Sequence, residues 1–408
     1  MAIYTPRGVK KYYHRTKRFL AKNWLSLWSP KQIAITGSQG KTNVTHMLEQ
    51  VLSQFGSTVR TDLTLDTTYN VPITALKVLP WTKYLLWELG IDHPGEMAHH
   101  LEIAHPQIAC ITGISPVHTD KEHMGSLERL IQEKRKLIEI LPETGTAVLN
   151  HDDAYVQQMA RRTKAPVKWY GSTQDCDIFV DPNSIIVSLK GTSADFSIKG
   201  KTHRMATGLI GIQHVETIMA SYLLAQSAIQ SDILDVFCTS VAKIMPLRGR
   251  MNVEEGPMDS QLLNDSLRAN PQSTDAGLKT LDMIAYSNGK KIAVIGEMGE
   301  LANPEMEHKK TGKLIAKLNI DFVIGIGPLR KYTIDEAILH GFPKEKTAYA
   351  SDVFQAAELL KSVLQPGDLW YLKGSLLRNY KRIVQLLNNE EVCCDQLMCP
   401  YDHCEYNQ

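Results

Sequence analysis

Residues 36–42 read Thr36-Gly37-Ser38-Gln39-Gly40-Lys41-Thr42. Just upstream, residues 32–36 (Gln-Ile-Ala-Ile-Thr) form a short apolar run suited to a buried strand. Downstream, Val44, Met47, Leu48 and Val51 recur at helical spacing. A glycine-rich turn between a strand and a helix cradles phosphate. Backbone N–H groups and the helix N-terminus present positive potential, and glycine lets the anion approach. Gly37, Ser38, Gln39 and Gly40 then line the turn, Lys41 reaches the β/γ-phosphates and Thr42 offers its hydroxyl to Mg²⁺. The common G-x4-G-K-[ST] pattern needs glycine at 35, where this chain has Ile35, so the strand–turn–helix context carries the reading.

Further buried strands are expected at 83–87, ending at Glu88, then at 108–112 and at 146–149, ending at Asn150. Helical patterns lie between them, near 94–104 and 126–141. Such alternation predicts an α/β fold, a parallel sheet with helices on both faces. From about 165 to 206 the pattern turns to short β pieces, 184–189 and 194–198 among them, and 211–245 reads as helices. After Pro246 the alternation restarts: strand 291–295, helix 305–318, strand 322–326, helix 352–364, strand 369–372. The expected organisation is a basic aromatic helix within 1–30, a central domain over 31–247, a Rossmann-like α/β domain over 248–390, and a Cys-rich tail over 391–408.

The 408 residues suit two or three domains at ~100–200 residues each. With 45 Lys+Arg against 44 Asp+Glu, the chain lacks the basic excess of a general nucleic-acid coat. No apolar run reaches the ~18–20 residues of a membrane span, and no secretory h-region is present, so a cytoplasmic protein is expected. The charge is uneven. Arg7, Lys10, Lys11, Arg15, Lys17, Arg18, Lys22, Lys31 and Lys41 all precede the first acidic residue, Glu49. Tyr12, Tyr13, Phe19, Trp24 and Trp28 interleave with them. A helix over 8–28 either rests on an anionic membrane surface or packs on the first domain with its cations in water. Cys393, Cys394, Cys399 and Cys404 crowd the end beside His403. They read as a Zn²⁺ site or as a tail of reduced thiols, and their spacing is not the usual C-x2-C pair.

Thr-Gly-x-x-Gly-Lys-Thr at 36–42 resembles the Mur ligase form of the phosphate loop. The likeness continues through Glu88-Leu89-Gly90, His93-Pro94-Gly95-Glu96, Thr112 to His118, Gly125-Ser126-Leu127-Glu128, Lys134, and Gly145 to Asn150 with Asp152-Asp153. Beyond these come Arg248-Gly249-Arg250, Asp265-Ser266, Asn270-Pro271, Ser273, Gly296-Glu297-Met298, His308 and Lys373-Gly374-Ser375. It spans roughly 32–388 and is greatest to the branch that adds D-alanyl-D-alanine.

The resemblance implies a P-loop ATPase domain followed by a Rossmann-like domain, and an ATP-dependent amide-bond ligase. Its substrates would be a cell-wall peptide precursor and an amino acid or dipeptide, joined through an acyl phosphate. It implies two Mg²⁺ sites drawing on Thr42, Glu88, His118 and Lys134, with Lys134 carbamylated and Lys41, Lys134 and His118 in catalytic roles. On its own residues Lys134 reads instead as a helix-surface lysine. Arg250 and Asp265 would meet the ATP phosphates and ribose, Thr217 the adenine side. Arg268, Asn270, Ser273 and Lys373 would meet substrate.

Departures from the family set further expectations. The family's N-terminal uridine-nucleotide domain is not recognisable here, so the acceptor's handle would be read differently. Gly113 replaces a usual Asn, and Gln213 and Thr217 stand in the adenine stretch. Arg268 is new and suits pairing with a carboxylate of the incoming amine. Two alternatives stay open: a ligase for another polymer such as poly-γ-glutamate, and a non-catalytic ATP-binding subunit. The oligomeric state is not legible.

Overall fold

The computed structural model describes residues 9–62, 67–116, 119–120, 122–299, 301–392 and 394. The chain divides into two compact units, residues 1–185 with 193–207 and 213–244, and residues 186–192 with 208–212 and 245–408.

In the first unit, helix α1 (Val9–Ser26) precedes strand β1 (Lys31–Thr36), whose inner residues are buried. Helix α2 (Lys41–Leu52) follows, then β2 (Thr58–Arg60), α3 (Thr67–Leu76), β3 (Tyr84–Glu88), α4 (Glu96–Leu101) and β4 (Ile108–Ile111). Next come α5 (Leu127–Glu139), β5 (Thr146–Asn150), α6 (Ala154–Ala160), β6 (Val167–Gly171) and β7 (Ile178–Val180). After β8 (Ile186–Ser188), whose residues count with the second unit, the chain forms β9 (Gly191–Ile198), β10 (Lys201–Thr207), α7 (Gln213–Ile229) and α8 (Leu234–Ala242).

The sheet order is β10-β9-β7-β6-β5-β4-β1-β3-β2. β1 lies between β3 and β4, parallel to both, with Ile35 opposite Glu88 and Thr36 opposite Ile111. A strand covered on both faces reads as a continuous apolar run, which is why 32–35 lacks alternation. The expected parallel arrangement of the alternating strands is present and extends from β2 to β7. The sheet turns antiparallel where β7 meets β9. Trp87, Leu85, Ala109, Ile111 and Leu149 pack with Met97, Leu130, Leu137 and Ile138 in the core of this unit. α7 is buried on nearly every side, from His214 to Ala228.

The second unit runs β11 (Asn252–Gly256), β12 (Ser260–Asp265), α9 (Pro271–Met283), β13 (Lys291–Gly296), α10 (Pro304–Ile315) and β14 (Phe322–Ile326). It ends with α11 (Arg330–Leu339), β15 (Thr347–Ala350), α12 (Val353–Val363), β16 (Leu369–Lys373) and α13 (Lys381–Leu387). Its sheet order is β11-β12-β16-β13-β14-β15, antiparallel only at the β11–β12 edge. Ile292, Val294, Ile324, Trp370 and Leu372 form the strand side of its core, with Ala356, Leu360 and Ile383 above. The sequence reading passed over α3, whose interior Pro72 breaks the helical pattern. It also passed over β2, only three residues long.

Candidate active site

The turn after β1 is built on two glycines with positive φ. Gly37 sits at φ 149° and Gly40 at φ 78°. A Cβ at Gly37 would overlap Thr112 Oγ1, so no other residue fits without a shift. Thr112 comes from the end of β4, and its hydroxyl donates to the Gln39 carbonyl. Ser38 N donates to Gly113 O at 2.8 Å, and Ser115 N donates to Ser38 Oγ at 2.9 Å. The loop is therefore locked onto the segment after β4. Gly40 is the N-cap of α2 and supplies no side-chain acceptor. A helix N-terminus without a side-chain cap suits an anion.

Two lysines converge on one carbonyl. Lys41 Nζ donates to Gly37 O at 2.8 Å, and Lys134 Nζ donates to the same oxygen at 3.0 Å. Lys134 is not the surface lysine its own residues suggest, since it is 2% exposed. It lies on the buried face of α5 with Leu130, Glu133, Leu137 and Ile138, a helix capped by Ser126. Burial, then the charge of Lys41, drives its ammonium well below the usual lysine range, against a smaller opposing pull from Asp92. A neutral buried amine is a nucleophile.

At the end of β3, Glu88 Oε1 accepts from Thr42 Oγ1 at 2.8 Å. Its Oε2 is buried with no hydrogen-bond partner among the described residues. A desolvated carboxylate oxygen left in this way fits a cation. Hard Mg²⁺ prefers such oxygen donors, so Thr42 and Glu88 suit it. His118 lies outside the described residues.

Thr217 is buried in α7, and its hydroxyl donates to Gln213 O at 3.2 Å. Beside it in sequence, burial with the charges of Asp152 and Asp153 raises the Glu216 carboxyl to about 7. Sequence reasoning gave no role to Asp153, whose Oδ2 accepts from Ile114 N at 2.7 Å and whose Oδ1 caps α6. It also left out Asp92. An Asx residue just before a helix is the readable signal for the first, and none marks the second.

In the second unit Asp265 ends β12 beside Lys373 at the end of β16. Lys373 Nζ reaches Asp265 Oδ2 at 2.7 Å, and Tyr371 Oη donates to the same oxygen at 3.0 Å. Lys373 is 1% exposed, so it holds Asp265 in place. Burial pushes the Asp265 carboxyl up against the pull of Lys373, Tyr371 and Arg250. Asn270 and Ser273 form a reciprocal capping box for α9, with Ser273 N donating to Asn270 Oδ1 at 2.8 Å. Arg268 is exposed on the turn before it.

Of the tail, Cys393, Cys399, His403 and Cys404 lie outside the described residues. Cys394 is described, and its carbonyl accepts from Arg382 Nη1 at 2.7 Å. No group of three or more His, Cys, Asp or Glu that could hold a metal ion occurs among the described residues, so the Zn²⁺ expectation gains no support. No helix among the described residues is long and apolar enough to cross a membrane.

Comparison with known proteins agrees with this geometry. The Mur ligase middle domain matches residues 35–225, and the Mur ligase glutamate ligase domain matches residues 249–376. The UDP-N-acetylmuramoyl-tripeptide–D-alanyl-D-alanine ligase of Mycobacterium tuberculosis is 28% identical over 378 residues, covering 88% of this chain and 73% of that one. The ligase of the same name from Escherichia coli is 28% identical over 314 residues, covering 76% and 68%. Among solved structures, MurF ligase from Thermotoga maritima in complex with ADP superposes with a TM-score of 0.79 at 22% identity, covering 96% of this chain and 87% of that one. MurF from Acinetobacter baumannii gives 0.81 at 20% identity, covering 92% and 81%. The chain belongs to the Mur ligase family of ATP-dependent amide-bond ligases.

Proposed function

We propose that this protein adds D-alanyl-D-alanine, or a closely similar amino acid or dipeptide, to the terminal carboxylate of a muramyl peptide precursor of the cell wall. The substrate class comes from the relatives' names. The observation that carries the chemistry is the arrangement at the loop: Lys41 and Lys134 on Gly37 O, and Thr42 on a Glu88 whose Oε2 has no partner among the described residues.

In this reading the acceptor carboxylate attacks the γ-phosphorus and ADP leaves, giving an acyl phosphate. The incoming amine, having lost a proton, attacks the acyl carbon, and phosphate leaves as the amide forms. The sum is ATP, carboxylate and ammonium going to amide, ADP, phosphate and a proton. Little covalent chemistry falls to the protein, so positioning and charge stabilisation dominate. Lys41 leaves Gly37 O for the β/γ-phosphate oxygens, and the N-terminus of α2 receives the same phosphates. When bound, Mg²⁺ neutralises phosphate charge, held at Thr42 and Glu88 with His118 and a carbamylated Lys134 at a second site. The depressed ammonium of Lys134 suits carbamylation, because its free amine can add to CO₂ and release a proton. In the second unit, Lys373 and Tyr371 orient Asp265 toward the ribose, Arg250 meets phosphate, and Arg268 takes a carboxylate of the incoming amine. Thr217 lies on the adenine side. The enzyme works in the cytoplasm, with residues 8–28 in peripheral contact with the membrane.

The test is phosphate release from ATP and Mg²⁺ by the purified chain, with a uridine-diphosphate muramyl tripeptide as acceptor. D-alanyl-D-alanine and a panel of single amino acids serve as amines. Release only with acceptor and D-alanyl-D-alanine together is expected. Release with a different amine, lost in Arg268→Ala, moves the specificity to Arg268. No release with any pair, while ATP still binds, overturns the muramyl assignment.

A further inference from the structure

α1 has one half committed to the protein. Ala21 and Leu25 are buried, and Trp24 Nε1 donates to Val78 O at 2.8 Å. Arg18 donates to the His99 carbonyl and pairs with Glu102 at 3.0 Å, which fixes the rotation of the helix. The opposite half faces out and is not the polar surface expected of a solvated helix. Tyr12 is 71% exposed, Phe19 66% and Leu20 53%. Arg15 and Lys22 flank them and are also exposed. The 76–83 loop that receives the Trp24 bond exposes Leu79, Trp81 and the lysines Lys77 and Lys83. No carboxylate occurs anywhere in the first 48 residues.

From this arrangement we infer that the outward half of α1, with the adjoining 76–83 loop, docks on a surface of anionic lipid headgroups. The inference rests on the membrane contact proposed above and names its face and its lipid chemistry. Aromatic and aliphatic side chains on one side of a basic helix sink into the headgroup boundary, while Lys and Arg stay with the phosphates. Exposed tryptophan is favoured at that boundary. A nucleic-acid surface would use the cations but leave Phe19, Leu20 and Leu79 in water. The basic charge supplies sign complementarity to anionic lipid, worth a several-fold gain in partitioning for each cation near the surface.

The experiment is flotation of the full chain with phosphatidylcholine vesicles, with and without phosphatidylglycerol. Binding to the phosphatidylglycerol vesicles alone, weakened by salt, is expected. The variants are Phe19→Ser with Leu20→Ser, and Arg15→Glu with Lys22→Glu, all at exposed positions. Each pair should lower partitioning roughly tenfold or more. Phosphate release without vesicles should match the unaltered chain, so failure of the ligase reading and failure of this one are separable. Absence of flotation, or equal flotation of the variants, overturns the inference. A dimer in sedimentation that is lost in Phe19→Ser with Leu20→Ser overturns it in favour of a second copy of the chain.

Discussion

Glu88 in the first unit keeps one buried oxygen without a partner among the described residues, and Lys134 is a buried amine that donates to a carbonyl, Gly37 O. Asp265 in the second unit is equally removed from water, but Lys373 and Tyr371 both donate to it. Glu297 and Arg378 likewise pair there at 2.7 Å. Both units thus spend buried charge at the carboxyl ends of their strands, where ligands of open α/β sheets bind. Among the described residues the first leaves a carboxylate oxygen unsatisfied there, whereas the carboxylates of the second are paired and its unpartnered buried atom is a cation's, Arg330 Nη2. The difference separates groups held ready for an exogenous partner from groups that hold one another.

The contrast predicts opposite signs for two substitutions. Lys373→Met leaves a desolvated carboxylate at Asp265 and should cost the second unit about 3–5 kcal/mol. Glu88→Gln removes a charge that makes no ion pair among the described residues, and without metal it should cost nothing measurable or stabilise. Urea unfolding of both variants without Mg²⁺ checks the pair of signs. Adding ATP and Mg²⁺ sharpens it. The unaltered chain should gain stability through ligand linkage, and Glu88→Gln should gain far less. Equal losses in the two variants without ligand would erase the distinction between the sites.

Much of this was legible in residues. The loop at 36–42 and the strands at 108–112, 146–149, 322–326 and 369–372 were readable because doubly covered strands are unbroken apolar runs. Lys134 was not, because a lysine is counted as polar when a helix face is drawn. Its place in the stripe of Leu130, Leu137 and Ile138 shows only once α5 is packed. The pairing of Asp265 with Lys373 was out of reach for another reason. The two lie on neighbouring strands far apart in sequence, and register decides that they meet. The antiparallel turn from β7 to β9 was missed because these short strands do not reveal their direction.

A buried histidine in each unit extends the comparison to pH. His100, whose Nε2 lies 3.0 Å from Gly90 O, is lowered to about 4, chiefly by burial. His308 is lowered to about 3 by burial and then by Arg330. Its Nε2 accepts from Met298 N at 3.1 Å, and its Nδ1 lies 2.7 Å from Pro304 O, so only the neutral ring fits. Well above pH 6.5 neither ring is protonated in either state, and stability does not vary through them. As pH falls below 6.5 the unfolded chain binds protons that the folded rings refuse. Stability is lost at up to ~1.4 kcal/mol per pH unit for each, ending near pH 4 for His100 and pH 3 for His308. Imidazole resonances followed by NMR check this. Either ring titrating at its ordinary value would break the prediction. Replacement of His308 by Gln should flatten the acid limb of the second unit while leaving that of the first.

The smallest effect tests whether the caps divide in the same way. α2 begins at Gly40 with no side-chain cap, whereas α9 begins with the Asn270 and Ser273 box. Asn270→Ala should therefore cost about 1 kcal/mol by urea unfolding. Asn270→Asp keeps the accepting oxygen and should cost almost nothing, but it removes the amide donors a substrate would use. Unchanged KM for the amine in Asn270→Asp would mark Asn270 as a cap and nothing more. A raised KM with the stability intact would mean that one side chain serves both, with its oxygen on Ser273 N and its amide on the substrate. The second unit would then also keep a hydrogen-bonding group in reserve for a ligand, at a site where its charges are already paired.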